Sequence, residues 1–112
     1  MMPAYPSEIS VDELAHLLEG GIHLIDVRQL DEYQSGHVAG AVLITLQEIH
    51  NRVEECVSAD GSPTYLICKV GGRSAQACEY LAGQSLNVVN IAGGTLAWLD
   101  SGRDVIEGDN PT

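Results

Sequence analysis

Short apolar runs alternate with amphipathic stretches along this chain. Val11, Leu14, Leu17 and Leu18 recur at helical spacing behind the capping-box pair Ser10 and Glu13. That pattern predicts a helix from Val11 to Glu19, stopped by Gly20-Gly21. His23 to Val27 reads as a short buried strand. Asp31 stands where it caps a brief helical turn ending at Gly36, and Ala41 to Ile44 reads as the next strand. Thr45 and Glu48 repeat the capping spacing ahead of Leu46, Ile49 and Val53, which predicts a second amphipathic helix. After the breaker Asp60-Gly61-Ser62-Pro63, Thr64 to Cys68 reads as a central strand. From Ser74, the residues Ala75, Cys78, Leu81 and Ala82 mark a helix ending near Gly83. Asn87 to Ile91 reads as a last strand, and Gly93-Gly94 leads into a short helix carrying Leu96, Trp98 and Leu99. Asp109 to Thr112 is expected to fray.

Strands joined through helices imply an α/β fold with a mostly parallel sheet and right-handed crossovers. Ligands in such sheets bind outside the carboxyl ends of the strands. Cys68 closes the central strand at such an end.

The 112 residues suit one domain, able to bury about 65% of its unfolded surface. Apolar residues make up 45% of the sequence, yet no apolar run approaches the ~18 to 20 residues of a membrane span. The opening MMPAYPSEIS shows neither the basic nor the apolar part of a signal peptide, so a cytoplasmic protein is expected. The three cysteines, Cys56, Cys68 and Cys78, form no CxxC pair and suggest neither a disulfide framework nor a zinc site. A net charge of −11 argues against nucleic acid or an anionic membrane as partner. Two of the five Lys and Arg residues, Lys69 and Arg73, nevertheless fall within five positions of Cys68.

The segment Cys68-Lys69-Val70-Gly71-Gly72-Arg73-Ser74 joins a buried strand to a helix N-terminus. Glycines at 71 and 72 allow backbone conformations closed to other residues, so successive amide N–H groups can turn inward as an anion nest. The following helix dipole reinforces it. A cysteine at the lip of such a nest is held as thiolate and needs no histidine partner to act as nucleophile.

This loop is similar to the pattern C-x-x-G-x-R-S of the rhodanese family, at Cys68, Gly71, Arg73 and Ser74. Leu24-Ile25-Asp26-Val27-Arg28 with Glu32-Tyr33 and Gly36-His37-Val38-Ala39-Gly40-Ala41 resembles a second family segment. Ile91-Ala92-Gly93-Gly94-Thr95-Leu96-Ala97-Trp98 resembles a third, and the three together span about 7 to 102. The resemblance implies a single rhodanese domain with a five-stranded, mostly parallel sheet flanked by helices on both faces. It also implies a ping-pong reaction in which Cys68 takes the outer sulfur of thiosulfate or a similar anion as a persulfide. A small thiol, a protein thiol or cyanide then removes that sulfur. Lys69, Val70, Gly71, Gly72, Arg73 and Ser74 are the expected substrate-binding residues, with Arg73 either facing the donor or bracing the loop from behind. Ala39 replaces the proline usual in the second segment, which loosens that turn.

Other residues carry plainer expectations. Asp26 and Arg28 follow a strand end, and an internal ion pair such as Arg28 with Glu32 is the expected use. His37 is expected to stabilise a turn, and His16, His23 and His50 share no metal-ligand spacing. Cys78 belongs to the apolar stripe of its helix, and Trp98 to packing against the sheet. Cys56, near a helix end, is the candidate for an exposed resolving thiol. Neither GxxxxGK[ST] nor GxGxxG occurs, and no cofactor is expected. A phosphatase or arsenate reductase of related architecture carries a longer loop; only four residues separate Cys68 from Arg73 here. A dedicated sulfur carrier, or a module that only docks partners, is the remaining alternative.

Overall fold

The computed structural model describes residues 7–112. Five strands form one parallel sheet: β1 (Glu8–Ile9), β2 (His23–Asp26), β3 (Val42–Leu43), β4 (Thr64–Ile67) and β5 (Val88–Ile91). Their order across the sheet is β1-β5-β4-β2-β3, and every neighbouring pair is parallel. Four α-helices, α1 (Val11–Leu18), α2 (Leu30–Ser35), α3 (Gly72–Gly83) and α4 (Gly94–Asp100), cover the two faces.

Alternation along the strands sorts side chains between two apolar layers. Leu24, Tyr65, Ile67, Val89 and Ile91 pack with Leu14, Tyr33 and Trp98 on one face. Ile25, Val27, Leu66, Cys68 and Val88 pack with Ala77 and Leu81 of α3 on the other. A sheet covered on both faces has continuously apolar strands, which is why Thr64–Ile67 shows no polar alternation. Trp98 does pack against the sheet, as its place in the pattern predicts.

The capping box predicted for α1 is present, with Ser10 Oγ accepting from Glu13 N–H at 3.2 Å. Elsewhere the chain corrects its sequence pattern. The short strand β1 escaped notice because two residues carry no periodicity. The cap of α2 is Gln29, whose N–H donates to Glu32 Oε1 at 3.0 Å; Asp31 lies inside the first turn. The second amphipathic helix is replaced by two 3-10 segments, Leu46–Asn51 and Val53–Cys56, broken at Arg52, where φ is −129°. Leu46, Ile49 and Val53 still face the layer beneath α3, so apolar spacing reported burial but not helix type.

The end of the chain is docked, not frayed. Ile106 bridges His37, Gly108 N–H donates to the Gln34 carbonyl at 2.9 Å, and Gly40 N–H donates to the Pro111 carbonyl at 2.7 Å. His37 is fully buried and stacked on Tyr33, with Nδ1 2.7 Å from the Tyr33 carbonyl and Nε2 2.8 Å from that of Asn110. His37 therefore does stabilise a turn, but it also ties that turn to the chain end. Chain ends fray unless they are tied down, and here hydrogen bonds to His37 and Gly40 tie this segment down.

Deleting 109–112 should therefore lower stability by about 1 to 3 kcal/mol, the cost of leaving a buried polar group unpaired. Urea unfolding of the truncated and intact chains measures this, and coincident curves would show that the tail contributes nothing.

Candidate active site

Cys68 follows the last residue of the central strand β4, and its neighbours on each side fix its position. Asp26 pairs in register with Ile67, and Val27 N–H donates to the Ile67 carbonyl at 3.0 Å. The Cys68 carbonyl accepts from Thr95 N–H at 2.8 Å and from Thr95 Oγ at 3.0 Å, while the Lys69 carbonyl accepts from Leu96 N–H at 3.0 Å. The start of α4 can approach so closely because residue 94 is glycine. A Cβ there would lie 2.5 Å from the Cys68 carbonyl oxygen, and φ is +60°.

The loop then wraps around the sulfur. Gly71, at φ +110°, points its N–H at Cys68 Sγ from 3.1 Å. The Ser74 hydroxyl lies 3.2 Å from the same atom. Cys68 is only 1% exposed, and that burial is the largest single influence, acting to raise its pKa. The Ser74 hydroxyl and the backbone N–H groups of Ser74, Gly71 and Val70 act against it, and together they win. The thiol is held more acidic than an ordinary cysteine. The anion nest expected from the glycines is thus formed, at the N-terminus of α3.

The Arg73 guanidinium is taken up by a carboxylate. Its Nη1 and Nη2 donate to Glu32 Oε1 and Oε2 at 2.7 and 2.9 Å, a bidentate pair that clamps the loop to α2. The Glu32 carboxyl is held down to about 2 from 4.5, chiefly by this contact. The expected pair of Arg28 with Glu32 does not form. Arg28 instead grips the buried Asp26 through Nε at 3.0 Å and Nη2 at 2.8 Å, and also donates to the Gly36 carbonyl. Asp26 is wholly buried and a carboxylate there needs its own cation, which leaves Glu32 for Arg73.

Lys69, Val70 and Gly72 are exposed, whereas Gly71 and Arg73 are half-buried and Ser74 is buried. Arg28, Arg52, Arg73 and Arg103 each have a carboxylate partner; among the described residues Lys69 has none. It lines a groove of about 290 Å³ beside the loop, with Thr95, Leu96 and Leu99 opposite Glu32. A larger depression of about 710 Å³ lies at the amino ends of β2 and β4, by His23, Glu55 and Asp60. It lies at the opposite end of those strands from Cys68 and no cysteine lines it, so size alone is a poor guide to this site.

The other cysteines differ. Cys56 is fully buried, not exposed, and burial pushes its thiol up to about 11. Cys78 packs against the layer beneath α3, and burial pushes it to about 12. Neither is a ready nucleophile. Sequence reasoning missed Thr95, Glu32 and Asn90 as supports of the loop. Only Glu32 and Thr95 had a signal, since both lie within segments already singled out.

The comparisons agree with this architecture. The rhodanese-like domain pattern matches residues 10–101, and the chain belongs to that family. A relative described as putative sulfurtransferase YtwF of Bacillus subtilis is 36% identical over 94 residues, covering 81% of this chain and 88% of that protein. Thiosulfate sulfurtransferase PspE of Escherichia coli is 38% identical over 72 residues, covering 64% of this chain and 69% of that protein. The crystal structure of a rhodanese-like domain protein from Staphylococcus aureus superposes with a TM-score of 0.81 at 30% identity, covering 92% of this chain and 99% of that one.

Because Glu32 has its folded pKa lowered, its stabilising contribution is full above about 4.5 and fades as pH falls toward about 2. Glu32→Gln should cost on the order of 1 kcal/mol near pH 7, where the clamp is ionised and partly exposed. The stability difference between parent and variant should shrink steadily below pH 4.5. Denaturant titrations from pH 7 to pH 2 measure it; a pH-independent difference would mean that the ion pair does not hold the loop.

Proposed function

We propose that this protein is a sulfurtransferase that carries a sulfane sulfur on Cys68, from thiosulfate or a similar anionic donor to a thiol or cyanide. The observation that carries the reading is the convergence of the Gly71 N–H and the Ser74 hydroxyl on a sulfur that burial alone would keep protonated. The Cys68 thiolate attacks the outer sulfur of thiosulfate. A new S–S bond forms at Cys68, the bond to the inner sulfur breaks, and sulfite leaves with its electron pair. An acceptor thiolate then attacks the outer sulfur of the persulfide, and the Cys68 thiolate departs with the electron pair. Two steps through a covalent intermediate replace one harder step. The outer sulfur of the persulfide is anionic, and the donors that hold the thiolate are suited to stabilise it. The cytoplasm, where free thiols persist, fits this chemistry.

A protein acceptor is the favoured class of thiol. Leu30, Val70, Leu96 and Leu99 are between 44% and 59% exposed around the loop, more apolar surface than a small anion can use. In that form the protein is a sulfur carrier with slow turnover on small acceptors and fast discharge to its partner.

Thiosulfate should add about 32 Da to the protein, at Cys68, and dithiothreitol should remove it. Cys68→Ser should stay folded and take up nothing. Intact and peptide mass spectra decide it, and uptake at Cys56 or Cys78 would overturn the assignment.

Lys69→Ala should raise KM for thiosulfate more than it lowers kcat, by on the order of 1 kcal/mol, the scale of an exposed charge contact. The Debye length is ~10 Å at 0.1 M salt, so distant acids are screened while Lys69, next to Cys68 in the chain, is screened less. Steady-state kinetics from low to moderate salt measure it, and an unchanged KM would remove Lys69 from donor binding.

A further inference from the structure

Asn90 lies on β5, only 4% exposed, behind the Cys68 loop. The register of β1 against β5 sets Glu8 beside it. Asn90 Nδ2 donates to Glu8 Oε2 at 2.9 Å and to the Gly71 carbonyl at 3.3 Å, so both amide hydrogens are used. The opposite amide orientation would press its oxygen against a carboxylate and a carbonyl. Oδ1 is buried and has no partner among the described residues. A buried amide satisfied on one side only is an exception that calls for a reason.

The Gly71 carbonyl supplies that reason. Besides Asn90, it faces Ala75 N–H at 3.1 Å and the Ser74 hydroxyl at 3.3 Å. The same hydroxyl lies 3.2 Å from Cys68 Sγ. Ser74 has one hydroxyl hydrogen and therefore serves one of these acceptors at a time, whereas a carbonyl oxygen has two lone pairs. Ala75 and Asn90 fill both.

We propose that Asn90 is a positioning residue: by occupying the Gly71 carbonyl, with Glu8 orienting its amide, it reserves the Ser74 hydroxyl hydrogen for the Cys68 sulfur. Without Asn90, the Gly71 carbonyl competes for that hydrogen and the sulfur loses a donor. The inference rests on the reading of Cys68 as a working thiolate. Its test therefore reads ionisation of the thiol, not sulfur transfer, and the two readings fail separately.

The rate of Cys68 alkylation by iodoacetamide, followed against pH in the full chain and mapped by peptide mass, reports the thiolate. Arg73, paired with Glu32, and Cys78, on which Glu8 also acts, are in electrostatic contact with Cys68, and the variants leave all four unchanged. Asn90→Leu should slow alkylation about tenfold at neutral pH and move the midpoint of the curve upward, as for loss of one hydrogen bond to a charged group. Ser74→Ala should act in the same direction. Asn90→Leu added to Ser74→Ala should bring no further loss, because the hydrogen in question is already gone. An unchanged curve in Asn90→Leu, or an equal additional loss in the Ser74→Ala background, overturns the proposal. Should Asn90→Leu not fold, Asn90→Ala, which also removes the donor and changes no charge, carries the decision. It should shift the curve in the same direction, again with no addition to Ser74→Ala, and an unshifted curve overturns the proposal.

Discussion

A sulfur that is to be both buried and negative must find inside the protein what water would otherwise provide. At Cys68 that replacement is a set of short, directed donors, and nearly every structural feature nearby serves to keep them aimed. The three cysteines of this chain make the comparison internally. Cys56 is buried and Cys78 half-buried, both without comparable donors, and desolvation pushes their thiols up to about 11 and about 12. Cys68 is as hidden as Cys56 and yet more acidic than an ordinary cysteine, because burial is opposed there by the Ser74 hydroxyl and by the amides of Ser74, Gly71 and Val70.

Donors of this kind act only if they cannot relax, and the loop is pinned on three sides. On one side, α4 grips the Cys68 and Lys69 carbonyls, an approach that residue 94 permits by having no side chain. From α2, Glu32 takes hold of Arg73 in a bidentate pair. From within the sheet, β5 presents Asn90 to the Gly71 carbonyl. Each pin comes from a different part of the chain, so the thiolate environment is a property of the whole sheet end.

Charge plays a smaller part than the side chains near Cys68 first suggest. Arg73 is neutralised by Glu32, and Lys69 stands exposed at the groove. The positive field at the sulfur comes mainly from backbone N–H groups and the start of α3, whose dipoles are fixed by the fold. A chain of net charge −11 can hold an anion in this way because amides a few ångströms distant outweigh screened carboxylates on the surface.

Local chemistry made much of this legible in the sequence. The place of Cys68 at a strand end, the glycine turn after it, the capping of α1 and four of the five strands all depend on neighbours within a few residues, and such dependences leave a pattern. Tertiary structure decided the rest. Arg73 met Glu32, 41 positions away, and Arg28 turned to Asp26 once that carboxylate was buried. Asn90 reached the Gly71 carbonyl from 19 positions away, and the polar tail was held by His37 and Gly40. Partners so distant in the chain leave no periodic trace. The amphipathic spacing of Leu46, Ile49 and Val53 correctly reported a buried face, but that spacing does not separate α from 3-10 winding. The sequence by itself determined which cysteine closes the central strand and what kind of turn surrounds it. Only the packed sheet decided which side chains hold that turn still, because those contacts exist only when strands remote in sequence lie side by side.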